Sequence, residues 1–435
     1  MNMPDIIWPN FGDVLLRNAR VPGCALGLAS ELVTTDLRIV DGKLADIGAG
    51  LAPGGVEIDA DGSMVFPGFV DLHTHLDKGH IWPRASNDDG THLAAQTAVK
   101  ADREAHWSAE DVAARAGFSL RCAYAHGTVA IRTHLDSLGA QCDITWPVFK
   151  ALRAEWAGRI ALQAAAIIPL EAYATPFVEH LADVVAEAGG CLGGSGATQP
   201  DAPALVERLF DLASDRDLDI DLHVDETGDV TAHLLRTVAA ETIRRGYQGR
   251  VTCGHCCSLA VQDPEEARET IALVADAGIN VVSLPMVNLY LQGRVAGTPR
   301  WRGITLQHEL RAAGVRVAMA SDNNRDPFYG FGDLDLVEVF REAVRIGHLD
   351  MPVGAWPAAV TSLPADVMRL PAGRLRVGAV ADLVLFSARS YSEFLSRPQS
   401  DRIVVRAGRA ISAVPPSYRE LDHLFAGTRV SKHVG

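Results

Sequence analysis

The sequence contains no run of about 18 apolar residues, so it offers no segment of the kind that crosses a membrane as a helix. Its N-terminal stretch, Met1 to Trp8, lacks the basic region and apolar core of a secretion signal. Cysteine is sparse and odd in number, with seven in 435 residues, which is not the framework of a disulfide-bonded secreted protein. We therefore expect a soluble cytoplasmic protein with reduced cysteines.

Positive charge is also in short supply. Lysine and arginine together number 40 against 54 aspartates and glutamates, which gives a formal net charge of −14. Nucleic acids and anionic membranes bind surfaces on which lysine and arginine cluster, so neither is expected as a partner. Hydrophobic residues make up 48% of the chain and charged residues 22%, which is the composition of a globular protein.

The two ends of the chain predict one small β domain. Apolar runs of strand length, separated by turn residues, occur at 14–16, 37–40, 56–58, 381–386 and 403–409. Asp41-Gly42-Lys43 is a hairpin signal between two of these runs. We therefore predict a small β-sandwich domain built from both termini, with residues 1–66 and 371–435 as its two parts.

The middle of the chain, residues 67–370, alternates between strands and helices. Apolar runs typical of buried parallel strands occur at 127–131, 160–164, 218–222, 249–252, 279–282 and 315–319. Helical patterns lie between them, for example at 201–213 and 263–277. This alternation is typical of an α/β fold, and we predict a (β/α)8 TIM-like barrel over the middle region.

Two histidines end the first apolar segment of this region. His73-Thr74-His75 comes directly after the segment 64–72. In an extended chain, residues i and i+2 point to the same side, so both imidazoles can reach one metal ion. Barrel active sites form at the carboxyl ends of the strands, which is where this pair is expected to lie.

Three later apolar runs end in residues of the same kind. His223, His255 and Asp322 each follow such a run, and Glu226 lies three residues beyond the first of them. Imidazoles together with one carboxylate form a ligand set that suits Zn(II) or Fe(II) and leaves a position for water. These residues therefore indicate a metal site with room for a water ligand.

Six motifs containing these residues occur in order along nearly the whole chain: Phe66–Asp77, Arg132–Asp136, His223–Glu226, Thr252–His255, Asn288–Arg294 and Ser321–Asn323. In these motifs the sequence resembles the amidohydrolase superfamily, and within it the cytosine deaminase group. The resemblance implies a barrel with a terminal β domain. It also implies a hydrolase of non-peptide carbon–nitrogen bonds that releases ammonia from a small amino-substituted nitrogen heterocycle.

The resemblance also implies the roles of individual residues. One divalent metal ion per chain, Zn(II) or Fe(II), would be held by His73, His75, His223 and Asp322. Glu226 would shuttle protons during attack by a metal-activated water, with Asp322 as a further proton acceptor and His255 beside that water. Relatives with two metals bridge them through a carboxylated lysine. No lysine occurs between Lys150 and Lys432, which favours a single metal.

Three positions depart from the pattern of cytosine deaminases. Leu170 lies where those enzymes carry a glutamine that reads the pyrimidine, Asn323 replaces a second aspartate, and Phe328 lies where tryptophan is usual. Leucine cannot hydrogen-bond a pyrimidine edge, and polar substrate atoms left unpaired are costly. The predicted substrate is a cytosine- or isocytosine-like pyrimidine, with a pterin or an aminotriazine as alternatives.

Polar side chains near the predicted mouth of the barrel are further candidates for substrate contact. Gln292 and Arg294 belong to the loop after the seventh strand, and Lys78 lies just beyond the first histidine pair. His134 lies in a matching motif and is predicted to support the site or to pack beneath it. By the same resemblance, the protein is expected to be a homo-oligomer.

Three other functions compete with deamination. A cyclic-amide amidohydrolase would use the same site, although such enzymes more often carry the bridging lysine. A non-catalytic scaffold member would lack ligands that are all present here. An oxidoreductase on a doubly wound sheet would need a Gly-x-Gly-x-x-Gly loop after the first strand. We instead interpret the Gly-rich segment 189–196 as a tight connection from a strand into a loop near the substrate.

Overall fold

The computed structural model describes residues 6–9, 12–197 and 199–426. Its strands are β1 (Val14–Pro22), β2 (Leu32–Val40), β3 (Lys43–Gly48), β4 (Val56–Asp59), β5 (Met64–Pro67), β6 (Phe69–Thr74), β7 (Thr128–Asp136), β8 (Ala161–Ile167), β9 (Cys191–Gly196), β10 (Asp219–Val224), β11 (Val251–His255), β12 (Asn280–Ser283), β13 (Arg316–Met319), β14 (Leu383–Phe386), β15 (Ile403–Arg406) and β16 (Arg409–Ile411).

Its helices are α1 (His92–His106), α2 (Ala109–Ala125), α3 (Cys142–Glu155), α4 (Phe177–Ala188), α5 (Ala202–Asp215), α6 (Leu234–Arg245), α7 (Pro264–Asp276), α8 (Pro285–Leu291), α9 (Gln307–Ala312), α10 (Leu336–Gly347), α11 (Ser362–Val367) and α12 (Tyr391–Ser396). The helical patterns read from the sequence correspond to α5 and α7. Asp263 caps the start of α7, because its side chain accepts hydrogen bonds from two backbone N–H groups of the first turn. Pro264, at the first helical position, has no backbone N–H that would need a partner.

Strands β6 to β13 form a parallel barrel sheet. Their order is β13-β12-β11-β10-β9-β8-β7-β6, so each strand lies beside its neighbour in sequence. Thr74 at the end of β6 pairs in parallel with Asp322, just beyond β13, and this bridge nearly closes the barrel. Every residue of β6, β7 and β11 is buried, as expected for strands covered on both faces. The predicted barrel fold is confirmed.

The terminal strands form a separate mixed sheet, as the sequence predicts. Its order is β16-β15-β14-β5-β1-β2-β3, with β4 paired in parallel to β1. Strands β2 and β3 form the predicted hairpin, in which Val40 pairs with Lys43. Asp41 and Gly42 between them have φ values of 50° and 75°, the left-handed conformation that a two-residue hairpin turn requires.

The apolar faces of this sheet bury a core of their own. Val14, Leu16, Leu37, Leu383 and Val405 are among its members, and each is at most 1% exposed. Buried and exposed positions alternate over Asn18–Val21 of β1, whereas Val14–Leu16 and Thr35–Leu37 are buried without interruption, so these two stretches are covered on both faces.

The chain divides into two compact units. One contains the chain as far as Asp71, with Arg121–Ala130 and Leu334–Pro416; the other contains Leu72–Leu120, Ile131–Asp333 and the chain from Ser417 onwards. The domain boundaries drawn from the sequence, after residues 66 and 370, stay a prediction. Among the described residues, no helix is long and apolar enough to cross a membrane. None of the seven cysteines, all of which lie in the described part of the chain, forms a disulfide bond.

A buried ion pair near the start of α10 gives a testable stability prediction. Arg402 donates to both carboxylate oxygens of Asp335 at 2.7 and 2.6 Å, and its side chain is 3% exposed. Removing one partner of a buried pair leaves the other charge uncompensated. We therefore expect Arg402→Ala to lower the free energy of unfolding by about 3–5 kcal/mol, measured by urea denaturation.

An exposed ion pair in the same unit provides the control. Arg389 donates to Glu393 at 3.0 Å, but both side chains are largely exposed. Arg389→Ala should leave the urea midpoint nearly unchanged, because exposed pairs contribute little. If Arg389→Ala lowered the free energy of unfolding as much as Arg402→Ala, burial would not be what makes the Arg402–Asp335 pair important for stability.

Candidate active site

Four side chains predicted as metal ligands meet at the carboxyl ends of the barrel strands. They are His73 in β6, His75 just after it, His223 in β10 and Asp322 just after β13. Nε2 of His223 lies 3.1 Å from Nε2 of His73 and 3.2 Å from Nε2 of His75. Oδ1 of Asp322 lies 3.2 Å from Nε2 of His75 and 3.7 Å from Nε2 of His73. The four ligand atoms therefore surround one point.

Their spacing fits a single divalent cation. Ligand nitrogens about 2.0–2.1 Å from tetrahedral zinc lie about 3.3 Å from one another, which is the spacing of these atoms. All four side chains are buried. Burial lowers the pKa of His73, His75 and His223 far below the usual value, so the imidazoles are neutral, which is the form that binds a metal. The donor set therefore fits a metal ion.

The backbone is strained where it presents two of the site residues. Asp322 has φ 60° and His255 has φ 68°, a region that residues other than glycine rarely adopt. The N–H of Asp322 donates to the carbonyl of His73 at 2.8 Å, and the Thr74 hydroxyl donates to the carbonyl of Asp322 at 2.7 Å. These bonds stabilise the turn, and strain of this kind is concentrated at functional sites.

A glycine makes room for one of the imidazoles. Gly254 pairs in register with His223 across β10 and β11. A Cβ atom at Gly254 would lie only 2.8 Å from Cε1 of His73. Glycine at this position of the Thr252–His255 motif is therefore a packing requirement of the His73 ring.

Glu226 lies on the loop after β10, beside the cluster. Its Oε1 accepts a hydrogen bond from Nδ2 of Asn288 at 3.2 Å and lies 3.4 Å from Nδ1 of His255. Its Oε2 lies 3.3 Å from Nε2 of His92. Burial raises the pKa of this carboxyl, but its electrostatic interactions with His255 and His92 outweigh burial and leave the pKa below its usual value. Glu226 is therefore an ionised carboxylate that can accept a proton.

His255 is oriented by the same asparagine. Nδ2 of Asn288 lies 3.0 Å from Nδ1 of His255. When this amide donates to Nδ1, the neutral ring carries its proton on Nε2. Nε2 is buried and makes no hydrogen bond within the described part of the chain. Its N–H is therefore free to donate to a molecule in the cavity.

A charged lysine side chain lines the cavity beside the cluster. Lys78 lines it and donates to Oδ1 of Asp136 at 3.0 Å, while Nζ lies 5.3 Å from the centre of the Phe328 ring. Arg103 donates to the other oxygen of Asp136 at 2.8 Å. Burial alone would lower the pKa of Lys78, but Asp136 and Asp77 raise it above its ordinary value. The cavity therefore presents an ammonium group to a ligand.

The predicted substrate contacts divide into two groups. Lys78, Asn323 and Phe328 line the cavity. Leu170, Gln292 and Arg294 are not among its lining residues. Gln292 instead donates to the backbone carbonyl of Glu226 at 3.1 Å, and Arg294 is exposed and donates to the carbonyl of Tyr290 at 2.7 Å. Substrate contact by any of the six stays a prediction.

Leu170 itself is buried at the start of a short 3-10 helix, 1% exposed. From the same stretch of chain, Ile167 at the end of β8 lines the cavity. The residue of this stretch that lines the cavity is therefore three positions before Leu170, and it is equally apolar.

Several residues in or beside the cavity were not predicted from the sequence. Asn288 belongs to a motif quoted above, but nothing in the motif indicates that its amide would touch both Glu226 and His255. His92 and Gln96 lie one turn apart on α1, and Ser195 is the last residue but one of the glycine-rich β9. The sequence feature that could have drawn attention to α1 is a histidine directly after the residue that caps the helix, Thr91.

His134 packs against the predicted metal ligands and does not line the cavity. Its ring centre is 3.9 Å from that of His73, and its Nε2 lies 3.7 Å from Oδ1 of Asp221. Arg132 donates to the other oxygen of Asp221 at 2.8 Å, and a cation beside that guanidinium is disfavoured. His134 therefore packs under the ligands, and its supporting role stays a prediction.

Comparisons with known sequences and structures place this site in a family. Residues 56–147 and 150–412 match the amidohydrolase family. Over 424 residues, 95% of this chain and 97% of the relative, the sequence is 54% identical to a pterin deaminase of Rhizobium rhizogenes. It is 28% identical over 341 residues, 75% of this chain and 78% of the relative, to N-isopropylammelide isopropyl amidohydrolase of a Pseudomonas species.

Solved structures agree with this result. 5-Methylcytosine deaminase from Klebsiella pneumoniae, with 5-fluorocytosine bound, aligns with a TM-score of 0.80 at 26% identity, covering 93% of this chain and 98% of that one. N-isopropylammelide isopropylaminohydrolase from Burkholderia multivorans aligns with a TM-score of 0.74 at 26% identity, covering 93% and 100%. The chain therefore belongs to the amidohydrolase family, and it is a hydrolase that acts on carbon–nitrogen bonds.

Proposed function

We propose that this protein removes the exocyclic amine of a pterin, producing the corresponding oxo-heterocycle and ammonia. The observation that carries the deaminase assignment is the ionised and largely buried Glu226 carboxylate, which lines the same cavity as three of the predicted metal ligands, His75, His223 and Asp322. The 54% identity to a pterin deaminase, over nearly the full length of both chains, supports the pterin.

A divalent cation held by His73, His75, His223 and Asp322, Zn(II) or Fe(II), would supply an activated water molecule for hydrolysis at neutral pH. Glu226 accepts a proton from that water and delivers it to the ring nitrogen next to the carbon under attack. A carbon–oxygen bond forms there. The Nε2–H of His255 stabilises the negative charge that develops on the attacking oxygen.

The second half of the reaction breaks the carbon–nitrogen bond. The exocyclic amine leaves with its bonding electron pair and takes up a proton that Glu226 relays, so ammonia is released. That proton is the second proton of the water: Asp322, whose carboxylate lies within the cluster, would accept it first and then release it, so that Asp322 and Glu226 both end the reaction as ionised carboxylates. Overall, one water is consumed and the amine is replaced by an oxo group.

The wall of the cavity suits a heterocycle that carries an oxo group. Lys78 presents an ammonium, which pairs with a carbonyl oxygen better than with an amine or a C–H edge. Phe328 offers a ring face or edge for stacking, and Ile167 contributes an apolar surface. Asn323 donates to Asp326 at 2.9 Å, which orients its amide within the cavity. An amino-oxo-pyrimidine ring, the part that pterin and isocytosine share, matches these groups.

A substrate panel tests the proposal. Purified protein with its metal content determined would be assayed for ammonia release from pterin, isocytosine, cytosine and an aminotriazine. We expect pterin to exceed cytosine in kcat/KM by at least about 100-fold, because mismatched polar edges leave buried groups unpaired. A preference for cytosine or the triazine would overturn the pterin assignment. No ammonia from any of the four would overturn deamination of this substrate class.

Lys78 gives a prediction about substrate recognition. Lys78→Met should lower kcat/KM on pterin by about 10- to 100-fold, since a hydrogen bond from a charged donor is lost. Lys100→Met provides a matched control, because Lys100 is exposed on α1. Steady-state kinetics measure the effect, and thermal melting checks that Asp136 has not destabilised the fold. Unchanged kinetics for a folded Lys78→Met protein would exclude the ammonium from recognition.

A further inference from the structure

His92 is the first residue of α1, and it lines the same cavity as Glu226. Its Nε2 lies 3.3 Å from Oε2 of Glu226, while Oε1 of the same carboxylate is held by Asn288 and lies near His255. The two oxygens of Glu226 therefore have different partners, on different elements of the chain. The side chain of His92 is 35% exposed and that of Glu226 is 13% exposed, so His92 lies on the solvent side.

We propose that His92 is a positioning residue for the reaction: it holds Oε2 of Glu226 and so fixes the plane of the carboxylate that moves the protons. This inference rests on the proposed function of Glu226. It adds a residue from α1 to a site whose other functional groups come from strand ends and from α8.

A carboxylate with one anchored oxygen can still pivot about that hydrogen bond, which displaces its other oxygen. Asn288 holds Oε1 of Glu226 but leaves that pivot open. A partner on Oε2 removes it, and proton transfer to a ring atom requires the carboxylate to be placed within a fraction of an ångström. The loss of such a partner is therefore expected to lower kcat rather than weaken substrate binding.

Two features of His92 suit it to this role. Thr91 caps the helix by accepting a hydrogen bond from the backbone N–H of Ala94, which fixes where His92 begins the first turn. The His92 ring also meets Phe328 edge-on, with ring centres 5.4 Å apart and an angle of 69° between their planes. The helix cap and the aromatic contact together limit the rotamers that the imidazole can adopt.

The charges agree with the geometry. Burial lowers the pKa of His92, and the carboxylate of Glu226 outweighs burial and raises it above the ordinary value. Lys78, which faces the same cavity, opposes this increase. The attraction is mutual, because His92 is one of the groups that keep the pKa of Glu226 low.

Kinetics of matched variants test the proposal. His92→Phe keeps an aromatic ring beside Phe328 but removes the N–H, and it should lower kcat about 10- to 100-fold while KM changes less than about threefold. His92→Gln retains a donor that can reach Oε2 and should recover most of the loss. His106→Phe, the same change at the exposed far end of α1, should match the wild type.

Other outcomes of these kinetics overturn the proposal. A rise in KM at unchanged kcat would make His92 a substrate contact. Equal losses in His92→Phe and His92→Gln, accompanied by lower metal content or a lower melting temperature, would make it a structural residue.

A measurement without substrate separates this inference from the proposed function. In protein with 13C-labelled histidine, the His92 signal is identified by its absence from His92→Gln. Its titration midpoint should fall in Glu226→Gln, where the negative partner is lost, and stay in place in the exposed-site variant Glu269→Gln. An unchanged midpoint in Glu226→Gln would show that the contact does not exist, whatever the enzyme deaminates. A failure of the substrate panel would leave this result intact.

Discussion

Replacement of Glu226 by glutamine is expected to lower kcat by about 10²–10⁴-fold while the metal content stays at the wild-type level. Glutamine keeps the size of the side chain and its contact with Asn288, but it cannot accept the proton of the attacking water. The metal site is unchanged in this variant, because Glu226 is not one of the four predicted metal ligands. Ammonia release and metal analysis of the same preparation measure both quantities.

A second glutamate provides the control for this substitution. Glu269 is exposed on α7 and pairs only at the surface, with Arg236 at 3.2 Å. Glu269→Gln should retain wild-type kcat. If Glu226→Gln also turned over normally, proton transfer would have to be assigned to another group, and Asp322 would be the first to examine.

Replacement of His223 by alanine should remove both the metal and the activity. Nε2 of His223 lies within 3.2 Å of the corresponding atoms of both other imidazoles, so its loss opens the cluster at its centre. Two histidines and one carboxylate hold a divalent cation much less tightly, and activity should fall by at least about 10⁴-fold, since the activated water is lost with the metal. Metal analysis and ammonia release after dialysis measure the two effects.

The control for this variant comes from a different group of potential ligands. Cys142, Asp143 and His180 also lie close enough together to be considered for a metal, but two of the three are exposed. His180→Ala should keep one metal per chain and full activity. Metal loss in His180→Ala, with retention in His223→Ala, would place the ion outside the barrel.

Much of the fold could be predicted because buried parallel strands produce apolar runs. Strands β7, β8, β10 and β13 coincide with runs of this kind, and the hairpin at Asp41-Gly42 follows from two residues that adopt positive φ. Strand β9 escaped prediction because its glycines provide no apolar side chains. Gly193 is there for another reason: a Cβ at this position would lie 2.1 Å from the carbonyl oxygen of Asp221 on the neighbouring strand.

The part of the site that lies at the ends of strands could be predicted from the sequence. His73 and His223 follow apolar runs, and a barrel brings the carboxyl ends of its strands together. His92 and Asn288 lie on helices, where a single polar residue without a repeating pattern gives no sign of what it faces. The orientation of Gln292, which holds the backbone at Glu226 instead of lining the cavity, depends on loop geometry that no local motif encodes.

Anomalous diffraction from crystals of the active protein, recorded on both sides of the zinc and iron absorption edges, locates and identifies the ion directly. One peak per chain is predicted, about 2.0–2.2 Å from Nε2 of each of the three histidines and from a carboxylate oxygen of Asp322. Active crystals with no peak among these side chains, or with their only peak elsewhere in the molecule, would contradict metal-dependent deamination at this site.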